Sequence, residues 1–369
     1  MTKNPFLTTV YKSPKYFCNR DIETKNLISA VQNGRNTVLH SLRRIGKSGL
    51  IKNTFYYLDK ETDYHLVYVD IFNTYNVNDF VNELISQLLK IKKKLWYNQT
   101  LNFLKKFKPI ISFSPIDGQT ELKLNYETDD KVKYNLEEIL NYFEGFNTKI
   151  VIAIDEFQQI TNYPDTSFEA FLRSKIQFLN NITFIFSGSQ QGIMTSMFLD
   201  HSRPFYQSAD TMFLDRLDKK EYHDFISEKF RETKKVISND SISEILNWTY
   251  RHTYYTQNFC NRLWGKGVKN IDDNLLISIK KEIIVEKEKY FGELRHLLPV
   301  NQLNLLMAIG KADGVEQPSS IEFISKYKLS STSTVSSAIK ALQTKELVYY
   351  EDGIYKVYDV YLSRFLQYH

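Results

Sequence analysis

The sequence predicts an α/β fold: a largely parallel sheet crossed by helices, then a helical lid and a C-terminal winged helix-turn-helix. Three observations carry this. Short apolar runs rich in β-branched and aromatic residues alternate with helical stretches up to residue 217, which implies right-handed β-α-β crossovers. From residue 218 to 298 the periodicity is helical. Beyond Pro299, three short helical stretches precede two alternating runs around Asp352-Gly353, the pattern of a three-helix domain with a two-stranded wing. The expected divisions are therefore 1–217, 218–298 and 299–369.

Taken in order, Asp21 to Asn33 has apolar residues at 22, 27, 28 and 31, with Asp21 placed to cap and Gly34 to stop it. A helix follows from that spacing. NTVLH (36–40) is a short strand, and Ser48 to Leu58 reads as a helix. HLVYVDIF (65–72) has the composition of a buried strand, and VNDFVNELISQLLKI (77–91) has helical spacing. KIVIAIDEF (149–157) is the most hydrophobic strand and ends in two acids. TSFEAFLRSKIQFL is helical, and NITFIFSGS (181–189) is another buried strand.

The alternation breaks between about 91 and 127, where a lysine-rich, aromatic stretch precedes two short runs around Asp117-Gly118. This reads as an insertion ending in a hairpin with an Asp-Gly turn. KKEYHDFISEKF, SISEILNWTY, YTQNFCNRLW and LLISIKKEIIVEKEKYF then read as a helical bundle. LNLLMAIG, SIEFISKYK and STVSSAIKALQTK supply the last three helices, with ELVYYEDG and IYKVYDVYL as the wing.

Composition narrows the function classes. The chain has 369 residues, 42% hydrophobic and 25% charged, with a net charge of +5. That is ordinary for a soluble globular protein of two or three domains. The mild charge permits nucleic acid contact without arguing for it. Cys18 and Cys260 fit neither a disulfide framework nor a zinc site. MTKNPFLTTVYKS lacks the apolar run of a signal peptide, and no window suits a membrane span. A cytoplasmic location without membrane contact is the expectation.

The chemistry lies in HSLRRIGKSGL, residues 40–50, between a strand and a helix. It carries the second half of G-x-x-x-x-G-K-[ST], with Ser41 in the first glycine's place. Such a loop turns backbone N–H groups and a helix N-terminus toward phosphates, adds a lysine cation, and offers a hydroxyl to Mg²⁺. Gly46 lets the backbone pass close to a phosphate, Lys47 is the cation, and Ser48 is the hydroxyl. The first position only turns the chain out of the strand, so a small serine is tolerable there. A Mg²⁺–ATP site further needs a carboxylate ending a neighbouring buried strand and a base to orient water. IVIAIDEF offers Asp155 for the metal's second shell and Glu156 for the water. The nucleotide-binding residues of the loop are then Ser41, Leu42, Arg43, Arg44, Ile45, Gly46, Lys47 and Ser48. For Arg43 and Arg44, phosphate contact, contact with a neighbour's site, and plain solvation stay open.

With these motifs in place, the chain resembles the archaeal-type AAA ATPases of the STAND branch of P-loop NTPases, which also occur in Bacteroidetes. The resemblance runs through nearly the whole chain. It rests on YFCNRDIETKNL, LRRIGKSGLI, IDEFQ, FIFSGSQQGIMTSMF, RPFYQSADTMFLDRLDKKEY and RHTYYTQNFCNRLW. It implies that Phe17, Arg20 and Glu23 lie beside the adenine and that Ser189 senses the γ-phosphate. It also implies that RHTYYTQ packs on the nucleotide from the helical domain. Three departures stand out. Ser41 replaces glycine. Thr253 stands where proline is frequent, which loosens closure on the base. Gln207 and Ser208 follow Pro-Phe-Tyr, where the relatives place arginine. With that cation lost, γ-phosphate sensing falls to Arg203, Arg216 or a neighbouring subunit.

Two further features keep alternatives open. Lysines between Lys90 and Lys108 interleave with Trp96, Phe103 and Phe107. They suit either a nucleic-acid surface or an amphipathic helix with its aromatics in the core. The recognition-helix candidate STSTVSSAIKALQ offers hydroxyls but only Lys340 as a cation, and affinity for DNA follows phosphate neutralisation. The expected function is a slow ATPase working as a nucleotide-driven conformational switch, using ATP and Mg²⁺. The alternative is a DNA-binding regulator in which nucleotide sets shape. Besides ATP and ADP, a protein partner or self-association is left open.

Overall fold

The computed structural model describes residues 3–61, 64–91, 94–107, 110–113, 120–124 and 128–368. They form two compact units, Val10–Asp215 and Met1–Thr9 with Arg216–His369.

In the unit Val10–Asp215 the chain runs α1 (Asp21–Gln32), β1 (Thr37–His40), α2 (Lys47–Leu58), β2 (Tyr64–Asp70), α3 (Val77–Leu89) and α4 (Lys94–Leu104). β3 (Ile110–Phe113), β4 (Thr120–Lys123), α5 (Asp129–Glu144) and β5 (Lys149–Asp155) follow. It closes with α6 (Phe168–Ile176), β6 (Ile182–Ser187), α7 (Gln191–Leu199) and β7 (Asp210–Phe213). Five strands make one parallel sheet in the order β2-β5-β6-β1-β7. β6 is buried along its length and β5 after its first residue, as central strands covered on both faces must be. The interposition of β6 between β1 and β5 matters for the site. It brings the C-terminal ends of three strands side by side at the edge where open α/β sheets bind ligands.

The sheet is packed by aromatic side chains. Phe157, Phe186, Phe198 and Phe205 are fully buried, with Phe157 centred 4.6 Å from Phe186 and 5.2 Å from Phe205. Burying one such side chain stabilises the fold by about 1.5–3 kcal/mol. The insertion joins the same core. Trp96 is buried and stacks on Phe143 at 5.1 Å, and Phe103 lies parallel to Tyr142 at 3.7 Å. Lys106 pairs with Glu138 at 3.0 Å and sits over the Phe103 ring. Trp96 and Phe103 of α4 thus face the core, as the amphipathic-helix alternative expects, while Tyr97 of the same helix is exposed. β3 and β4 pair antiparallel from Ile110↔Lys123 to Phe113↔Thr120. The Asp117-Gly118 turn, Lys92, Lys93 and Lys108 lie outside the described residues.

The second unit holds α8 (Lys219–Glu232), β8 (Val236–Ile237), α9 (Asn239–Trp248), α10 (Thr253–Gly265), β9 (Asn270–Ile271) and α11 (Asp273–Leu297). α12 (Val300–Lys311), α13 (Ile321–Tyr327), α14 (Thr332–Thr344), β10 (Val348–Glu351), β11 (Ile354–Val357) and α15 (Val360–Tyr368) complete it. Asp218, Ser238, Asp272, Ser320 and Ser331 each cap a helix by accepting a backbone N–H. β10 and β11 form the expected wing, and Val315 adds a bridge to Tyr355. One expectation fails here. IYKVYDVYL is not strand throughout, because Asp359 Oδ1 accepts from Tyr361 N and Leu362 N and starts α15. A capping carboxylate thus overrides the alternation. The interior around α12 and α14 also takes in Phe291 and Leu294 of α11, and Phe365 and Leu366 of α15.

Candidate nucleotide site

β1 ends at His40 and the chain turns through Ser41 to Gly46 before α2 begins at Lys47. Gly46 has φ 116°, a conformation closed to other residues, with nothing within 4 Å of an added Cβ. The requirement there is backbone freedom, not space. Leu42 and Ile45 are buried and pin the loop, while Arg43 and Arg44 are exposed on it. Lys47 is buried, its Nζ donating to Ser41 O at 3.3 Å, Ser41 Oγ at 3.1 Å and Leu42 O at 3.1 Å. Serine in the glycine position thus supplies the lysine with an extra oxygen. His40 behind the loop is buried, with neither ring nitrogen hydrogen-bonded. Burial, and then the charge of Lys47, lowers its pKa to about 4.

The acidic strand end forms the second wall. Asp155 is buried and all its oxygens are engaged. Ser48 Oγ donates to Oδ2 at 2.6 Å, and the Tyr68 hydroxyl donates to the same oxygen. Ser187 Oγ donates to Oδ1, and so does Glu156 N at 3.1 Å. Burial, then the Asp155 charge, holds the Tyr68 hydroxyl protonated far above its ordinary range. At the end of β2, Asp70 registers beside Asp155. Its pKa is raised chiefly by burial, with Asp155 and Glu156 adding repulsion against the bond from Phe72 N.

Glu156 sits in the left-handed region at φ 57°, which costs a non-glycine residue of order 1 kcal/mol. This turn carries its carboxylate toward the end of β6. Oε2 accepts from Ser189 Oγ at 2.7 Å, Ser189 N at 3.3 Å and Gln158 Nε2 at 2.6 Å. Lys47 and Ser48 at the start of α2, Asp155 ending β5, and Glu156 and Ser189 in the turns beyond β5 and β6 therefore lie along one sheet edge. Phe17 lies against the start of α2, where a Cβ on Gly49 would meet its ring at 2.9 Å. Arg20 is buried, donating to Glu23 Oε1 and to Asp215 O, each at 2.6 Å. Phe17, Arg20 and Glu23 thus stand on the segment that enters the loop's own helix pair.

The arginines are otherwise engaged. Arg203 is paired with the buried Glu169, and burial raises the pKa of Glu169 against that pairing. Arg216 belongs to the second unit, where it donates to Glu351 and to Tyr349 Oη at 2.9 Å. Gln207 has φ 51° and donates its backbone N–H to Phe198 O. In the same second unit, Thr253 is the first residue of α10. Proline is at home there because that amide has no helical partner. Sequence reading missed Tyr68, Ser187 and Gln158. Only a small polar residue ending the run ITFIFS hinted at Ser187; Tyr68 depends on strand order, and Gln158 on a buried amide that no local pattern marks. Among the described residues no cluster of three or more His, Cys, Asp or Glu is arranged to hold a metal. No helix among them is long and apolar enough to cross a membrane.

Comparison with known proteins agrees with this geometry. Residues 17–254 match the model of an ATPase domain predominantly from Archaea, and residues 289–368 match a probable winged helix domain. The fold is similar to a Walker-type ATPase of Pyrococcus abyssi at 18% identity and TM-score 0.69, covering 98% of this chain and 99% of that one. It is also similar to the Aeropyrum pernix ORC2 protein, solved as ADPNP-ADP complexes, at 14% identity and TM-score 0.61, covering 99% and 96%. The Aeropyrum pernix ORC1 protein in complex with DNA matches at 12% identity and TM-score 0.53, covering 96% and 94%. No curated protein matches the sequence. A phosphate loop with its lysine and serine, an acidic strand end two strands away and the matching domain model lead to one conclusion: this chain belongs to the archaeal-type family of P-loop ATPases.

Proposed function

We propose that the chain is a slow ATPase of the AAA and STAND kind whose nucleotide sets its conformation. The observation that carries this is the joining of Ser48 to Asp155, which ties the phosphate loop to the acidic strand end. Mg²⁺ fits these residues. A serine that gives its proton to a buried carboxylate keeps its oxygen lone pairs for a cation, and Asp155 fixes that hydroxyl from behind. When bound, the cation offsets charge on the β- and γ-phosphates. Lys47 and the N-terminus of α2 hold phosphate, Glu156 orients water, and Ser189 lies close enough to Glu156 to report on the γ-phosphate. Phe17, Arg20 and Glu23 are assigned to the adenine side. Arg43 and Arg44, exposed on the loop, are assigned to phosphate or a partner. Slow turnover follows from uncharged Gln207 and from the glutamates that hold Arg203 and Arg216. In this reading the ATPase portion drives the helical and winged-helix portions in the cytoplasm.

The test is Lys47→Ala, which removes the cation. ATP affinity measured by calorimetry falls at least tenfold while the far-UV circular dichroism of the fold is kept. Unchanged affinity would refute the nucleotide reading. A second reading, a DNA-binding regulator, is favoured by the exposed Thr332, Ser333, Ser337 and Lys340 along α14.

A further inference from the structure

We infer that Gln158 is a positioning residue for Glu156, holding one carboxylate oxygen so that the other serves as the base. The inference rests on the reading of Glu156 as the residue that orients water. Gln158 follows Glu156 by two residues on a short 3-10 turn, Phe157–Asn162, and is buried. Its Nε2 donates to Glu156 Oε2 at 2.6 Å, and Ser189 Oγ donates to the same oxygen at 2.7 Å. No hydrogen bond reaches Glu156 Oε1 among the described residues. The two oxygens are therefore unequal: one is clamped by donors, and the other is left to accept a proton from water.

Three features point to this geometry and none of them helps packing. Glu156 holds a left-handed backbone. The Gln158 Oε1 atom is buried without a partner, a loss the fold would avoid by placing an apolar residue there. Gly188 makes room for the amide, since a Cβ there would lie 2.2 Å from Gln158 Oε1 and 2.6 Å from Met194 Sδ. The amide orientation follows from charge, because the reverse would set a carbonyl oxygen against a carboxylate. Ser189 is a shared donor: when its hydroxyl turns to a γ-phosphate, Gln158 still keeps Glu156 in place.

The experiment compares ATP hydrolysis by the full chain with that of Glu156→Gln, Gln158→Met, Gln158→Glu and the double variant Glu156→Gln/Gln158→Met. Gln158→Met keeps the volume and removes the donor. It lowers kcat by about 10- to 100-fold, the range for a misplaced reacting group, with KM and melting temperature unchanged. In the Glu156→Gln background the same change has no further effect. Gln158→Glu sets two carboxyl groups together. Such a pair shares a proton, so its activity falls as pH rises, relative to the unaltered chain. A merely structural role gives no such profile. If Glu156→Gln hydrolyses as fast as the unaltered chain, the base reading itself fails. If Glu156→Gln is inactive but Gln158→Met retains full kcat, or Gln158→Glu shows the ordinary pH profile, the positioning inference alone is overturned.

Discussion

Serine at position 41 shows how a motif departure is absorbed by one atom. The loop needs a small residue to leave β1, and Ser41 also offers Oγ to Lys47. The departure at Gln207 is different in kind. Its backbone is committed to Phe198 O, and its amide brings no charge to a transition state that gains about 10³-fold or more from a cation. Gln207→Arg is therefore expected to raise the basal rate several-fold or more with little change in ATP affinity, read by steady-state turnover and calorimetry on the same samples. An unaltered rate would mean that position 207 does not face the phosphates. These residues show what sequence carries well. Lys47, Ser48, Asp155 and Glu156 were legible because contiguous motifs hold them. Tyr68 and Gln158 were not, because their partners are set by strand order and by a buried amide that no local pattern marks.

Strands β5 and β6, the helices α1 to α3 and the wing were all legible from periodicity. α5 is an element beyond those expected, although Val132, Leu136, Ile139, Leu140 and Phe143 recur at helical spacing there. At this scale β1 has its own pH dependence. His40 ends the strand buried and unpartnered, and its folded-state pKa of about 4 lies below the ordinary 6.5. Between those values the unfolded chain holds the extra proton. Stability therefore rises with pH across that window and is lost as pH falls through it. His40 then accounts for a loss of roughly 2 kcal/mol between pH 7 and 5. Urea unfolding of the unaltered chain and of His40→Leu at both pH values checks this. The variant loses less, and equal losses would remove His40 as the cause.

For the whole molecule, the unit that holds the winged helix decides between the two functional readings. α14 offers hydroxyls and Lys340 on its exposed face, so a duplex contacted through it releases few counterions. Under the switch reading, ATP is turned over without DNA. Any duplex binding then weakens with salt at a log–log slope of no more than about 2. Fluorescence anisotropy across a salt series measures it. A slope of 5 or more, with binding to one sequence preferred over others, would favour the regulator.

The longest helix has a mechanical meaning. α11 contributes Leu276, Ile279 and Ile283 to the interior from its first half, and Phe291 and Leu294 to the winged-helix interior from its second. Lys287 is paired with Asp359 at the start of α15, and Arg216 is held by the wing. Its 25 residues make a rod of roughly 37 Å. A rod anchored at both ends converts angle into distance: a tilt of about 10° at one end displaces the other by about 6 Å. Under the switch reading the helical and winged portions are geared together by this helix, and a small rotation near α10 would reach the wing as a stroke instead of being lost in a joint.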